Sequence, residues 1–168
     1  MPVTVQTLVS KDIPDLAAAF LPTVWKTQAA YFQQFIGMQE RGERVFLLAR
    51  DNGKIAGFVT IRWRSSYPPF MQQGIPEIND LRVLEEYRRR GIGTALMDEA
   101  ESMIFKRSPI TGLGVGLYAD YGNAQRMYAL RGYVPDGRGL FYYDQPVSPG
   151  DRVLVDDNLV LYLVKNRP

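Results

Sequence analysis

Asp80-Leu81-Arg82-Val83-Leu84-Glu85-Glu86-Tyr87-Arg88-Arg89-Arg90-Gly91-Ile92-Gly93-Thr94-Ala95-Leu96 carries the most informative local pattern of the chain. A strand over residues 75–83 ends there, a basic turn with two glycines follows, and a long helix begins. In that helix Ile92, Leu96, Met103 and Ile104 fall on one face, with Ala95 and Ala100 beside them, and Pro109 marks the stop. A helix N-terminus has amides with no carbonyl behind them and carries the positive end of the macrodipole. Glycines let a ligand approach such amides closely, and arginines add charge. The stretch therefore reads as a phosphate cradle.

Two familiar cradles do not fit. A P-loop needs Gly-Lys followed by Ser or Thr, which the chain lacks. A dinucleotide fingerprint needs a glycine three residues after Gly93, where Leu96 stands. What remains is Arg88-x-x-Gly91-x-Gly93.

Upstream, Val3–Val9 reads as a first strand. Asp12 and Pro14 signal a helix start, and a second helix is expected over Trp25–Gln39. Val45–Ala49 and Ile55–Trp63 flank Asp51-Asn52-Gly53-Lys54, a hairpin signal. Residues 65–74, with Pro68, Pro69 and Gly74, read as a loop. Downstream come a strand over Thr111–Ala119, a short helix over Asn123–Leu130 closed by Gly132, and strands near Leu140–Tyr143 and Leu159–Val164. The order predicts a mixed α/β protein with antiparallel pairing early and a strand–helix–strand unit in the middle.

The 168 residues fit one domain, and 46% hydrophobic with 23% charged residues is ordinary for a globular chain. With neither cysteine nor histidine, thiol nucleophiles, Ser-His-Asp catalysis and Cys- or His-ligated metals are excluded. Acid–base chemistry then falls to Asp, Glu, Tyr, Lys or water. A net charge of +2 is too small to argue for nucleic acid. No apolar run approaches membrane-spanning length, and Met1-Pro2-Val3-Thr4-Val5 does not resemble a secretory leader, so a cytoplasmic location is expected.

The string Leu81-x-Val83-x-x-x-Tyr87-Arg88-x-x-Gly91-Ile92-Gly93-x-x-Leu96 resembles the acyl-CoA pyrophosphate motif of the GNAT superfamily of N-acetyltransferases. Asn123-Ala124-Gln125-Arg126-Met127-Tyr128, then Arg131-Gly132-Tyr133, resembles the second signature of that family, with a shorter Asn-to-Tyr spacing than in many members. The likeness is strongest over residues 44–133.

The resemblance implies a GNAT-like fold: a mixed, mostly antiparallel twisted sheet flanked by helices, with a central CoA-binding unit. It implies acetyl-CoA as cosubstrate, and no metal. Its pyrophosphate would lie on Arg88, Arg89, Arg90, Gly91, Gly93 and Thr94, and its pantetheine along the backbone of Leu81 and Val83. Asn123 would contribute to the cofactor site or serve only as a helix cap. An amine would attack the thioester directly. Tyr128 stands where the family places a donor for the departing thiolate. Glu77 is the first candidate base, eleven residues before Arg88, where several members carry a catalytic glutamate; a water chain is the alternative. By the two-residue strand period, 77, 79, 81 and 83 share a face and Asp80 points away, a weaker base candidate. Gly112, Gly114 and Gly116 would either keep a cofactor gap open or allow close packing.

The bland readings are a cross-strand salt bridge for Glu77, core packing for Tyr128, and core or loop packing for Trp25, Tyr31, Phe32, Trp63, Tyr67 and Phe70. Asp144, Asp151, Asp156 and Asp157 could attract a cationic amine or be solvated loop charges. The expected acceptor is a small-molecule or peptide amine, with no nucleic acid or membrane partner; an exposed final strand could pair two copies. The competing function is a non-catalytic CoA-binding sensor or partner module.

Overall fold

In the computed structural model, Asn52 and Gly53 take φ of 51° and 78° between β2 (Arg44–Asp51) and β3 (Lys54–Arg62). Two successive positive φ values match the right-handed twist of the paired strands, which is why Asn-Gly closes this hairpin. The structure describes residues 3–168; Met1 and Pro2, where the leader reading begins, lie outside them.

The chain divides into two compact units. The first takes the described residues up to Trp63 together with Ile78–Met103. Here β1 (Val3–Thr7), β2, β3 and β4 (Glu77–Val83) are neighbours in that order, the first three antiparallel. Helices α1 (Ile13–Phe20) and α2 (Ala29–Glu40) bury Leu16, Phe20, Phe32 and Phe35 against Phe46 and Phe58. The rings interlock: Phe46 stacks on Phe58 at 4.7 Å, and Phe32 meets Phe58 edge-on at 5.7 Å. Each such buried side chain contributes about 1.5–3 kcal/mol. The Gln39 amide ties α2 to the strands, donating to the Leu8 carbonyl at 3.0 Å and accepting from the Phe46 amide at 2.9 Å. Asp12 does not cap α1 through its side chain. Its buried carboxylate instead accepts the Val9 amide at 3.1 Å and pairs with Arg50 at 3.0 Å.

The second unit takes Arg64–Glu77 and Ile104–Pro168. The segment expected as a loop contains a helix, α3 (Pro68–Gln73). Both prolines occupy its first turn, where a missing N–H costs nothing, and Gly74 ends it at φ 66°. Strands run in the order β5 (Ile110–Gly116), β8 (Leu159–Asn166), β6 (Val134–Tyr142), β7 (Gln145–Pro146), with antiparallel pairing. β6 starts earlier than its apolar run suggests, because the register shifts between Pro135 and Leu140 around Gly137 and Gly139. The final strand is interior, flanked by β5 and β6, so it offers no free edge to a second copy. The core packs Tyr67, Phe70, Ile75, Phe141 and Tyr162, with Tyr67 and Tyr162 stacked at 3.6 Å.

α4 (Ile92–Phe105) buries Ile92, Leu96, Ala100 and Ile104 at four-residue steps, and Met97 and Glu101 as well. α5 (Gly122–Leu130) follows β5. The expected mixed, mostly antiparallel α/β architecture is present. Among the described residues no helix is long and apolar enough to cross a membrane.

Candidate active site

The cradle belongs to the first unit. β4 ends at Val83, a 3-10 turn covers Glu85–Tyr87, and Arg88 is extended. Arg89 (φ 60°) and Gly91 (φ 80°) then reverse the chain, and the Ala95 amide takes the Gly91 carbonyl at 2.9 Å to open α4. A helix opening on Gly91 leaves the amides of Ile92, Gly93 and Thr94 without a carbonyl behind them. Nothing lies within 4 Å of where a Gly91 Cβ would stand. Arg88, Arg89, Arg90, Gly91 and Thr94 are exposed, and Gly93 is half-buried. Arg90 is anchored, 3.3 Å from Asp51 and 5.5 Å from the Tyr87 ring centre. The strand–turn–helix geometry thus offers an open row of amides with added positive charge, a site for a polyanion.

Gly57 is a residue that sequence reasoning missed. A Cβ there would stand 2.5 Å from the Arg82 carbonyl oxygen and 3.3 Å from Ile92. Only glycine lets β3 lie this close to β4 and to the start of α4. Nothing in the local pattern marks it, since a single glycine in an apolar strand has many uses.

Half-buried Leu81 and Val83 lie on β4. Asp80 just before them takes φ 57°, outside the extended region. The Thr60 hydroxyl donates to the Asn79 carbonyl at 3.0 Å at this interruption. Strand alternation does not carry across such a residue, so the expectation that 77, 79, 81 and 83 share one face is corrected. Asp80 is also poorly suited as a base. Its carboxylate accepts from the Tyr31 hydroxyl and from Arg82 at 3.0 Å. Burial first, then the Asp80 charge and hydrogen bond, push the Tyr31 phenol well above its usual range.

Glu77, Asn123 and Tyr128 belong to the second unit. Glu77 is buried, 4% exposed, and its Oε2 accepts from the Ser65 hydroxyl at 2.6 Å. Ser65 Oγ in turn accepts the Tyr67 amide at 3.0 Å. Ser65 Oγ thus links the glutamate to the chain at Tyr67, donating to one and accepting from the other. Ser65 is a second residue without a sequence signal, since its partner lies twelve positions away.

Tyr128 is buried against the edge of Tyr133, ring centres 5.9 Å apart, and burial raises its phenol to about 12. It therefore stays protonated at neutral pH. Asn123 is exposed and lies inside the first turn of α5, which Tyr121 precedes, so it is not the cap.

The glycines of β5 pack closely. Added Cβ atoms would meet the Phe70 ring at 2.3 Å from Gly112, Val160 at 2.7 Å from Gly114 and Tyr121 at 2.4 Å from Gly116. Close packing is what these glycines permit in this unit. Phe32, Tyr67 and Phe70 are core residues. The acidic residues of the C-terminal part are engaged within the fold: Asp144 by Tyr162, Asp156 by Tyr142, Asp157 by Tyr118 and Tyr121, and Asp151 by the Ser148 amide.

A family model described as the acetyltransferase (GNAT) family matches residues 11–133. The chain belongs to that family. It is accordingly an acetyltransferase, and the match spans both the Arg88–Gly93 turn and Tyr128. No curated protein matches the sequence. Among solved structures, the fold is similar to ribosomal-protein-alanine N-acetyltransferase from Brucella melitensis, with TM-score 0.70, 17% identity, and 98% and 99% of the two chains covered. It is also similar to yncA from Salmonella typhimurium, solved with its cofactor acetyl-CoA, with TM-score 0.70, 12% identity, and 99% and 94% covered. A third is the paia N-acetyltransferase of Thermoplasma acidophilum in complex with coenzyme A, with TM-score 0.65, 15% identity, and 99% and 100% covered. At these identities the likeness speaks for the fold.

Proposed function

We propose that this acetyltransferase transfers an acetyl group from acetyl-CoA to a primary amine by direct attack, working as one domain in the cytoplasm. The observation that supports it most is the open amide row at the start of α4, behind Gly91 at φ 80° and beside three arginines. In this reading Arg88, Arg89, Arg90, Gly91, Gly93 and Thr94 bind the diphosphate. The backbone of Leu81 and Val83 pairs with the pantetheine, and Asn123 adds a contact from α5.

Primary amines are mostly protonated at neutral pH, as a lysine near 10.4 illustrates. The ammonium must lose a proton before its nitrogen can attack. Glu77, oriented by Ser65, takes that proton as a carboxylate, directly or through water. The nitrogen then bonds to the thioester carbon and the C–S bond breaks. A phenol at about 12 is a weaker acid than a thiol near 8.5, so Tyr128 donates a hydrogen bond to the developing thiolate. The nitrogen gives up two protons in all. One leaves through Glu77 and solvent, and the other ends on the sulfur. The products are an N-substituted acetamide, free CoA thiol and one released proton.

The acceptor is a small-molecule or peptide amine. A panel of polyamines, aminoglycosides, amino acids and peptides, followed by CoA thiol release, tests this. Release with at least one amine is expected. Acetyl-CoA binding with no release from any amine would favour a non-catalytic CoA-binding module.

A further inference from the structure

Asp80 stands at φ 57° inside β4, in a conformation that L side chains rarely adopt. Such a residue persists where its surroundings over-determine it, and these cases gather at ligand clamps. The surroundings here are specific. The Tyr31 hydroxyl of α2 donates to Oδ2, and Arg82 Nη2 donates to Oδ1 at 3.0 Å, so both carboxylate oxygens are engaged. Arg82 is itself fixed. Its Nη1 donates to Thr27 Oγ1 at 3.0 Å, and its guanidinium lies 5.5 Å, 5.7 Å and 5.6 Å from the ring centres of Trp25, Tyr31 and Phe58. Residues from α2, the loop before it and β3 thus converge on Arg82, which together with Tyr31 holds one carboxylate of β4.

The turn at Asp80 sets the direction of the peptide groups that follow, and those are the peptides of Leu81–Val83. We propose that Asp80 is a positioning residue for the cosubstrate: clamped by Tyr31 and Arg82, it holds the backbone whose peptide groups pair with the pantetheine. The proposal rests on the pantetheine reading of Leu81–Val83 given above. Asp80 itself neither touches the reacting atoms nor moves a proton. Its role is to keep one peptide orientation populated before the ligand arrives, so that binding does not have to select it.

The test is acetyl-CoA affinity by calorimetry on the full chain, with melting temperatures in parallel, for wild type, Asp80→Asn, Asp80→Gly, Asp80→Ala and Tyr31→Phe. Asparagine tolerates the left-handed region and keeps an acceptor, so Asp80→Asn should stay within about threefold of wild type. Asp80→Ala loses clamp and conformational preference together and should bind about tenfold weaker. Glycine takes positive φ freely, so Asp80→Gly should recover most of what alanine loses. Tyr31→Phe, with Asp80 intact, should weaken binding by about threefold. A purely structural role would lower melting temperatures and leave the affinity of the folded variants unchanged. Equal affinity in all variants would overturn the proposal while the functional reading stands; so would equal losses in alanine and glycine, which would mean the side chain meets the ligand. A wild type that does not bind acetyl-CoA would overturn the functional reading and this proposal with it. Should Asp80→Ala fail to fold, Tyr31→Phe against wild type decides in the same way.

Discussion

Tyr128 shows how surroundings tune a single side chain. The residue is only 7% exposed, and burial raises its phenol to about 12. A neutral phenol donates a hydrogen bond across the whole working range of an amine-acetylating enzyme. Replacing it by phenylalanine keeps the ring and its packing on Tyr133 and removes only the donor. If Tyr128 is the donor proposed above, Tyr128→Phe should lower kcat by about a hundredfold and leave acetyl-CoA affinity within about twofold, since the hydroxyl would act on a charge that exists only as the C–S bond opens. Steady-state kinetics and calorimetry check this pair of values. Unchanged kcat would remove Tyr128 from the mechanism. Glu77 and Ser65 illustrate the opposite case. The glutamate is singled out only by the family resemblance, and the serine bonded to it has no pattern, because tertiary proximity alone joins residues twelve apart.

At the scale of elements, the central strand–turn–helix was the most legible part of the chain. Glycines after arginines, then apolar residues at four-residue steps, leave few other local solutions. The Asn52-Gly53 hairpin was equally plain, because two positive φ values demand those residue types. The misses have local causes. Pro68 and Pro69 signal a loop until they prove to be the first turn of α3. β6 is hidden by Gly137 and Gly139, which mark its register shift. The interruption at Asp80 defeats the two-residue rule, because aspartate is far less diagnostic of positive φ than glycine. Gly57 gives the sharpest test at this scale. Gly57→Ala would push a methyl against the Arg82 carbonyl, which as backbone cannot swing away. A loss of about 1–3 kcal/mol in denaturant unfolding is expected, with weaker acetyl-CoA binding because β4 and the start of α4 must shift. A variant as stable as wild type would contradict the close-approach account.

For the molecule as a whole, tyrosines give a pH signature. Burial is the leading cause of raised phenol values at Tyr31, Tyr67, Tyr121, Tyr128 and Tyr162. A folded-state value above the unfolded one, near 10, favours the protonated folded form. The associated stability is present in full below pH 10 and is lost as pH rises through the folded values. Melting temperatures should therefore be insensitive to tyrosine ionisation up to about pH 9 and fall steeply above about pH 10; a curve still flat at about pH 11.5 would contradict this. Calorimetric titration with acetyl-CoA and with S-acetylpantetheine, which shares the reactive end but lacks the diphosphate, asks whether main-chain amides at the start of α4 hold the diphosphate of a thioester carrier. The account predicts measurable acetyl-CoA binding and an affinity for S-acetylpantetheine lower by about a hundredfold or more; equal affinities, or no acetyl-CoA binding at millimolar ligand, would contradict it.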